Sequence, residues 1–193
     1  MDILDAKYWE TRYLGNETGW DIGYANPAIV SFFEDEKTDL EVLIPGCGNA
    51  YEGEQLFGMG FQNLHLLDFA ESSKTNLLKR LPSFPQQQFI VGDFFNHEGT
   101  YDIIVEQTFF CALDPSLRKE YVKKMHSLLK PGGRIVGVMF KVPMFEDHPP
   151  FGGNEQEYRE LFEELFEIRQ MVDSTKSIPA RRESELFIEL VRK

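Results

Sequence analysis

The stretch Leu40-Glu41-Val42-Leu43-Ile44-Pro45-Gly46-Cys47-Gly48 joins a short apolar run to a glycine-containing turn. Apolar runs of four to seven residues that end in turn residues are typical of buried strands. Four more runs have this form, at residues 64–67, 88–91, 101–105 and 134–140. The sequence therefore predicts five strands, the first of which is followed by the turn at Gly46.

Amphipathic stretches lie between these runs. Residues 51–59 and 72–80 predict short crossover helices, and residues 115–129 predict a longer helix with Asp114 as its N-cap. Strands that alternate with helices form a mostly parallel sheet with helices on both faces. The sequence therefore predicts an α/β fold with a doubly wound sheet.

Two further regions flank this core. Residues 1–36 predict a helical cap, with helices at 6–14 and 27–33, and the tail predicts a helix at 158–165 and strands at 166–172 and 186–191. The last two strands would close the sheet as an antiparallel hairpin, which gives seven strands in all.

The amino-acid composition excludes several classes of function. The chain has 193 residues, with 20 Lys and Arg against 32 Asp and Glu, and a net charge of −12. One domain over residues 1–193 suits this length. The acidic balance argues against a nucleic-acid partner and against attraction to an anionic membrane. The two cysteines are too few for a disulfide framework, and no stretch is apolar enough for a secretion signal or a membrane span. We therefore expect a soluble, cytoplasmic, acidic single domain, and we expect a monomer because the predicted fold closes on itself.

Ligands of open α/β sheets bind beyond the carboxyl ends of the strands. Gly46 and Gly48 follow the first strand and would let a ligand approach the backbone, and Asp68 follows the second strand, 20 residues after Gly48. An acid at that position is placed to bind ribose hydroxyls. Alternatively, the glycines only form a tight turn and Asp68 is a solvated loop acid or a helix cap. Taken together, the features favour a ligand that contains a nucleoside.

The charges around the glycine turn indicate which nucleoside. Tyr51 stands where a dinucleotide-binding motif has its third glycine, no Lys or Arg lies between residues 44 and 64, and Glu52 and Glu54 are present. Such a field suits a cation without phosphates better than a pyrophosphate. S-adenosylmethionine fits, with adenosine, a sulfonium and an amino-acid tail. Asp93 after the third strand would bond the adenine amino group beside Phe94, and we expect Phe95 to be a core residue.

At these residues the chain resembles class I methyltransferases, and most specifically the thiopurine S-methyltransferase family, which includes thiol, thiocyanate and methyl halide methyltransferases. The resemblance extends from Tyr8 to the C-terminus. It is carried by the segments Tyr8-Trp9-Glu10-Thr11-Arg12-Tyr13, Gly19-Trp20-Asp21-Ile22-Gly23, Leu43-Ile44-Pro45-Gly46-Cys47-Gly48, Asp93-Phe94-Phe95, Thr108-Phe109-Phe110-Cys111-Ala112-Leu113-Asp114-Pro115, Arg118, Leu129-Lys130-Pro131-Gly132-Gly133 and Pro149-Pro150-Phe151.

The resemblance implies site residues. Those implied for the cofactor are Trp9, Tyr13, Trp20, Gly46, Gly48, Asp68, Phe69, Asp93, Phe94 and Glu106, and those for the acceptor pocket are Phe109, Phe110, Arg118, Phe140 and Phe151. An aromatic face attracts a sulfonium by roughly 0.5–2 kcal/mol. For the tryptophans the alternative is core packing of the N-terminal helix, and for Arg118 it is a surface salt bridge.

We expect direct transfer of the methyl group to a soft nucleophile, with no catalytic protein nucleophile and no metal. The sequence shows no catalytic dyad or triad, and its four histidines are scattered, with only His148 near the expected pocket. Cys111 is interpreted as a packing residue rather than a methyl acceptor.

The acceptor stays open among bisulfide, thiocyanate, small thiols and thiopurines. Halide is disfavoured because Phe140 stands where plant halide enzymes have a tyrosine. Among the cofactor-site positions, Gln107 also departs from the tyrosine that those enzymes have there. Bacterial relatives are also linked to the detoxification of chalcogen oxyanions. Oxygen and nitrogen methyltransferases, a nucleotide-dependent oxidoreductase and a non-catalytic module that binds S-adenosylmethionine or a nucleotide are the alternatives.

Overall fold

Seven strands form one sheet in a computed structural model, which describes residues 4–193. They are β1 (Val42–Pro45), β2 (Leu64–Asp68), β3 (Phe89–Val91), β4 (Tyr101–Gln107), β5 (Leu129–Phe140), β6 (Phe166–Asp173) and β7 (Glu185–Arg192). The spatial order is β3-β2-β1-β4-β5-β7-β6. The first five strands are parallel, and β7 is antiparallel to both β5 and β6. The predicted fold, including the closing hairpin, is confirmed.

Six α-helices accompany the strands within the described residues. They are α1 (Ala6–Leu14), α2 (Pro27–Phe33), α3 (Tyr51–Gly58), α4 (Glu71–Arg80), α5 (Arg118–Leu128) and α6 (Glu155–Phe162). None of them is both long and apolar enough to cross a bilayer. The predicted cap, residues 1–36, contributes α1 and α2, and its residues 1–3 lie outside the described part.

Two predicted helices have different limits. The helix expected from residue 115 begins with a 3₁₀ turn, Pro115–Leu117, whose first N–H groups are capped by Asp114, and becomes α-helical only at Arg118. The helix expected at residues 158–165 begins earlier, because the Asn154 side chain accepts a hydrogen bond from the Glu157 N–H at 2.9 Å and acts as its N-cap. Both differences reflect capping chemistry rather than hydrophobic periodicity.

The sheet separates two apolar clusters. In β1, Leu43 packs with residues of α5 and α6, whereas Val42 and Ile44 face the opposite cluster, which includes residues of α2, α3 and α4. This alternation follows from the two-residue period of a strand. Because all four residues of β1 are buried, the end of β1 is fixed from both sides of the sheet.

A carboxylate from α1 holds the N-terminal segment against this core. The residue before α4, Ala70, has no side chain that can cap a helix, and Glu10 supplies the missing acceptors from α1. Its carboxylate accepts hydrogen bonds from the Ser72 N–H, at 3.1 Å, and from the Ser72 hydroxyl. Helix α1 is thus attached at the N-terminal end of α4.

Replacing Glu10 by alanine should remove this cap and lower the free energy of unfolding by about 0.5–2 kcal/mol, the usual cost of a lost helix cap. Urea unfolding measures the change. The control is Lys7→Ala, an exposed position on the same helix, for which we expect a change within about 0.5 kcal/mol. Equal effects of the two substitutions would contradict a capping role for Glu10.

Candidate functional site

A cavity of about 1250 Å³ opens where β1, β2, β3 and β4 end. Eleven of the residues predicted from the sequence line it, namely Trp9, Tyr13, Trp20, Gly46, Gly48, Asp68, Phe69, Asp93, Phe94, Phe109 and Phe140. The cavity therefore joins the N-terminal segment to the loops at the carboxyl edge of the sheet.

The turn after β1 requires glycine at both positions. Gly46 has a φ of +57° and Gly48 a φ of +54°, a backbone region that other residues rarely adopt. A Cβ atom on Gly46 would lie 2.2 Å from Cδ2 of Phe109, so the ring of Phe109 lies directly on the glycine backbone. The glycines are needed for this contact and not only for the turn.

Asp68 at the end of β2 organises the same turn. Its carboxylate accepts hydrogen bonds from the Gly48 N–H at 2.8 Å and from the Ala70 N–H at 2.9 Å. Burial raises the pKa of Asp68 to about 6, against an opposing effect of these N–H donors. Asp68 is thus a buried acid that both lines the cavity and stabilises its loop, which combines the two interpretations that the sequence left open.

Three aromatic side chains from the N-terminal segment form one wall. The rings of Trp9 and Trp20 meet edge to face with centroids 5.4 Å apart, and those of Tyr13 and Trp20 do so at 5.8 Å. Burial raises the pKa of the Tyr13 hydroxyl well above its usual range, so this group stays neutral. The wall offers neutral aromatic surface of the kind that attracts a soft cation.

Carboxylates outnumber cations on the cavity wall. The acids are Asp5, Glu17, Asp21, Glu52, Asp68, Asp93 and Asp114, and the arginines are Arg12 and Arg181. Sequence analysis had not placed Asp21 at the site, and it had used Glu52 only as a local charge. Asp21 accepts hydrogen bonds from the Gly23 N–H, at 2.7 Å, and from the Asn49 side chain, and the buried Glu52 accepts one from the Asn26 N–H at 2.9 Å. These negatively charged acceptors suit a cationic nucleoside and not a pyrophosphate.

The Phe94-Phe95 pair is arranged differently from the prediction. Phe94 is the core residue, 2% exposed, with its ring centroid 5.1 Å from that of Phe109, whereas Phe95 is only half-buried. The reason is the 3₁₀ turn Phe94–Asn96, which Asp93 caps by accepting a hydrogen bond from the Phe95 N–H at 2.9 Å. Both rings nevertheless line the cavity.

Arg181 lies at the far end of the cavity, beside Phe140. Its Nη2 donates a hydrogen bond to the Trp20 carbonyl oxygen at 2.7 Å, and its guanidinium carbon lies 5.3 Å from the ring centroid of Phe140. Its Nη1 is buried, makes no hydrogen bond, and lies 3.5 Å from Oε1 of Glu185. Sequence analysis missed Arg181, because it belongs to the charged stretch Arg181-Arg182-Glu183-Ser184-Glu185, which gives no motif signal.

Comparisons with known proteins agree with this geometry. The family model described as thiopurine S-methyltransferase matches residues 4–191. The chain belongs to the thiopurine S-methyltransferase family. A probable thiol methyltransferase of Arabidopsis thaliana is 30% identical over 92% of this chain and 81% of its own length. The thiopurine S-methyltransferase of Vibrio cholerae is 28% identical over 92% and 89%.

Solved structures share the fold at low sequence identity. The 1,6-didemethyltoxoflavin-N1-methyltransferase of Burkholderia thailandensis, solved with S-adenosylhomocysteine, has a TM-score of 0.79 at 16% identity and covers 97% of this chain and 87% of that one. Magnesium protoporphyrin IX methyltransferase of Synechocystis, also solved with S-adenosylhomocysteine, has a TM-score of 0.75 at 14% identity and covers 98% and 100%. The family membership makes this chain an S-adenosylmethionine-dependent methyltransferase, as the sequence analysis predicted.

Four residues carried over from the family do not line this cavity: Glu106, Phe110, Arg118 and Phe151. Their roles at the site stay predictions, and the positions of their side chains are as follows. Glu106 is 1% exposed and points beneath the cavity wall, where its carboxylate accepts hydrogen bonds from the N–H groups of Phe109 and Phe110 and from the Tyr121 hydroxyl. Its position at the end of β4 was right, but its side chain faces the core.

The other three belong to the packing behind the acceptor end. Arg118 is 7% exposed, donates to the Gly152 carbonyl oxygen at 2.6 Å, forms an ion pair with Glu157, and lies over the ring of Phe110. Phe110 and Phe151 are buried, and the Phe151 N–H donates to the Cys111 carbonyl oxygen at 2.7 Å. Arg118 therefore makes a salt bridge, as the alternative had it, but a largely buried one.

Within residues 4–193, no group of three or more His, Cys, Asp and Glu side chains is arranged to hold a metal ion. Cys47 and Cys111 are both buried and unpaired. Burial raises the pKa of the Cys111 thiol to about 12, so it stays protonated at neutral pH. His148 lines the cavity and is exposed.

Replacing Gly46 by alanine should weaken cofactor binding by about tenfold or more, because the left-handed backbone at Gly46 would be strained and the new Cβ would push the glycine turn itself away from Phe109. Titration with S-adenosylhomocysteine, followed by the emission of Trp9 and Trp20, measures this change. The control is Gly58→Ala in α3, where a Cβ meets nothing within 4 Å. Tight binding by the Gly46 variant would contradict the close approach of Phe109.

A second prediction concerns pH. Burial raises the pKa of Glu106 to about 7 from an ordinary 4.5. The folded state therefore binds this proton more tightly than the unfolded chain, and the stability that Glu106 contributes is lost as the pH rises through this range. Relative to Glu106→Gln, which cannot titrate there, the wild-type free energy of unfolding should fall by up to about 3 kcal/mol between these pH values. Urea unfolding of both proteins, below pH 4.5 and above pH 7, measures this difference in the free energy of unfolding. The contribution of Asp68 cancels because both proteins contain it. Parallel profiles would contradict the raised pKa.

Proposed function

We propose that this methyltransferase transfers a methyl group directly to a small, soft, anionic nucleophile: a thiolate, bisulfide or thiocyanate, with thiopurines as larger members of the class. The observation that carries the proposal is Arg181, which lines a mostly acidic cavity beside Phe140 and whose buried Nη1 makes no hydrogen bond, although it forms an ion pair with Oε1 of Glu185 at 3.5 Å. A guanidinium with an unused N–H donor is suited to bind a small anion in addition to this ion pair.

The cofactor would lie at the acidic end. Asp68 would bind the ribose hydroxyls, Asp93 the adenine amino group, and Trp9, Tyr13 and Trp20 would face the sulfonium. Asp21 and Glu52 lie on the same wall and would attract the ammonium group of the amino-acid tail. When bound, S-adenosylmethionine supplies a methyl group on a positively charged sulfur.

The protein's own part in the reaction is to bind the acceptor, to align it with the methyl group and to exclude water from it. Arg181 would hold the anion, Phe109 and Phe140 would exclude water from it, and alignment of this kind supplies roughly 7–11 kcal/mol. No proton has to be removed from an acceptor that is already anionic. The protonated Cys111 thiol is unsuited to act as a relay, which supports a single direct transfer.

The cavity suits oxygen, nitrogen and halide acceptors less well. An oxygen or nitrogen nucleophile needs a base, and His148, the one imidazole that lines the cavity among the described residues, is exposed and donates a hydrogen bond from its Nδ1 to the Pro149 carbonyl oxygen, 2.9 Å away. For halide, Phe140 offers no hydroxyl to the anion.

We also propose that the chain works as a cytoplasmic monomer, with residues 1–193 as one domain and residues 1–36 as a cap over the cofactor. Two buried, unpaired cysteines suit a reducing compartment. The exposed large apolar residues Leu14, Tyr24, Val91, Phe145 and Val172 are spread over several elements. The acidic charge disfavours nucleic acid as a partner.

The test is methyl transfer from labelled S-adenosylmethionine to bisulfide, thiocyanate, iodide, a benzenethiol and a thiopurine, with volatile products trapped. We expect turnover of sulfur nucleophiles and little or none of iodide. Cofactor binding without turnover of any of them would overturn the proposed acceptor class and favour an oxygen or nitrogen acceptor or a non-catalytic role.

Replacing Arg181 by methionine should raise the KM of an anionic acceptor about tenfold to a hundredfold, because the charge partner is lost. Arg12→Met is the matched control, since Arg12 lines the cap end of the same cavity but its Nη1 already donates a hydrogen bond to Glu17 at 2.9 Å. Steady-state kinetics at constant ionic strength measure both variants. The same KM for the two would contradict the role of Arg181.

A further inference from the structure

Glu106 is a buried carboxylate that the proposed reaction does not use. Its Oε1 accepts hydrogen bonds from the N–H groups of Phe109 and Phe110, both at 2.9 Å, and its Oε2 accepts one from the hydroxyl of Tyr121. Tyr121 belongs to α5 and is 1% exposed. Within residues 4–193, no Lys, Arg or His forms an ion pair with Glu106, so its charge is stabilised by these three donors alone.

These bonds hold a turn of unusual shape. Thr108 has a φ of +56°, a sparsely populated region for a β-branched residue. The reversal sends the two phenylalanines that follow in different directions. Phe109 lies on the backbone of Gly46 at the cavity, and Phe110 packs into the core with its ring centroid 5.1 Å from that of Tyr121.

The turn also connects the two ends of the cavity. Gly46 belongs to the cofactor end, whereas Cys111 and Ala112, which directly follow the turn, line the wall toward Phe140 and Arg181. A shift of the turn would therefore change the spacing between the two ends without removing any group that touches a ligand.

We propose that Glu106, together with Tyr121, is a positioning residue for methyl transfer, which fixes the segment 107–112 and so the alignment of acceptor and cofactor. This inference rests on the proposed function, since it assigns a role in the same reaction. Glu106 acts through the backbone of Phe109 and Phe110 and does not itself contact a ligand. A carboxylate suits the task because both of its oxygens are acceptors and three donors converge on it.

The alternative is a purely structural role, in which Glu106 only satisfies buried donors. The two roles differ in what a substitution changes. A structural role lowers stability and leaves the turnover of the folded fraction intact. A positioning role lowers kcat at a temperature where the protein is fully folded, because a misplacement of about 1 Å costs up to about a hundredfold in rate.

The experiment compares Glu106→Ala, Glu106→Gln and Tyr121→Phe with the control Glu189→Ala. Glu189 is also a buried carboxylate, 7% exposed, but it lies on β7, away from the cavity, with Arg134 and Gln170 as hydrogen-bond partners. For each variant, kcat and KM of a thiol acceptor, the affinity for S-adenosylhomocysteine, and amide hydrogen exchange of residues 107–112 are measured below the unfolding transition.

We expect Glu106→Ala to lower kcat by about tenfold to a hundredfold, with the affinity for S-adenosylhomocysteine changed by less than about threefold. Glu106→Gln should restore most of kcat, because the amide oxygen still accepts both N–H bonds and the NH₂ group can donate to Tyr121. Tyr121→Phe should lower kcat by about threefold to tenfold, since the turn keeps two of its three bonds. Glu189→Ala should keep the wild-type kcat.

Several outcomes would overturn the inference. They are a wild-type kcat in Glu106→Ala, an equal loss in Glu189→Ala, or a loss in Glu106→Gln as large as in the alanine variant. If Glu106→Ala does not fold, Tyr121→Phe decides, and an unchanged kcat there would reject the proposal.

Hydrogen exchange separates this inference from the proposed function. The amides of Phe109 and Phe110 should exchange slowly in the wild type and in Glu106→Gln, and faster in Glu106→Ala, whatever the acceptor is. If the wild type binds S-adenosylhomocysteine but methylates no soft nucleophile, the proposed function is rejected, whereas the role of Glu106 in fixing the turn is not. Unchanged exchange in Glu106→Ala would reject the positioning role even if thiols are methylated.

Discussion

The contact between the backbone of Gly46 and the ring of Phe109 is the constraint on which the site depends. It brings the end of β1 against the end of β4 and leaves no room for a side chain between them. Each side of the contact is held by a buried acid, Asp68 for the glycine turn and Glu106 for the phenylalanine turn. Because both acids bond to backbone N–H groups, the loops are fixed by their main chains, and the side chains above them are free to face a ligand.

Charged groups are distributed unevenly over the cavity wall. In the proposed function, carboxylates and the N-terminal aromatic rings surround the cofactor, whereas Arg181 lies beside Phe140. In the proposed reaction a cation and an anion become two neutral products. An apolar, water-poor cavity favours such a reaction, because the charges that it stabilises poorly disappear along the path. The protein then needs to align the reactants and has no proton to transfer.

Sequence reasoning predicted the fold, and it named most of the residues that the fold brings to one cavity, because strand ends, glycines and the acids that follow them have fixed positions in parallel sheets. It did not predict which way a side chain turns after a strand. Glu106 lies on the same face of β4 as Ile104, toward Tyr121 of α5, because side chains alternate along a strand. Phe110 turns into the core after the left-handed backbone at Thr108, which nothing in the residue type signals. Arg181 was missed because its role depends on the partners that the tertiary fold brings to it, Trp20 and Phe140.

The antiparallel strand β7 lies between β5 and β6, so the loop that carries Arg181 reaches the cavity from the last hairpin of the sheet. The residues around the cofactor, in contrast, come from the segments before α5. In the proposed function, the arginine that binds the anion thus comes from a different part of the chain than the residues around the cofactor. Insertions or exchanges in the hairpin loop would change the contact with the acceptor and leave the nucleoside site intact, which is one way in which a single fold serves many chemistries.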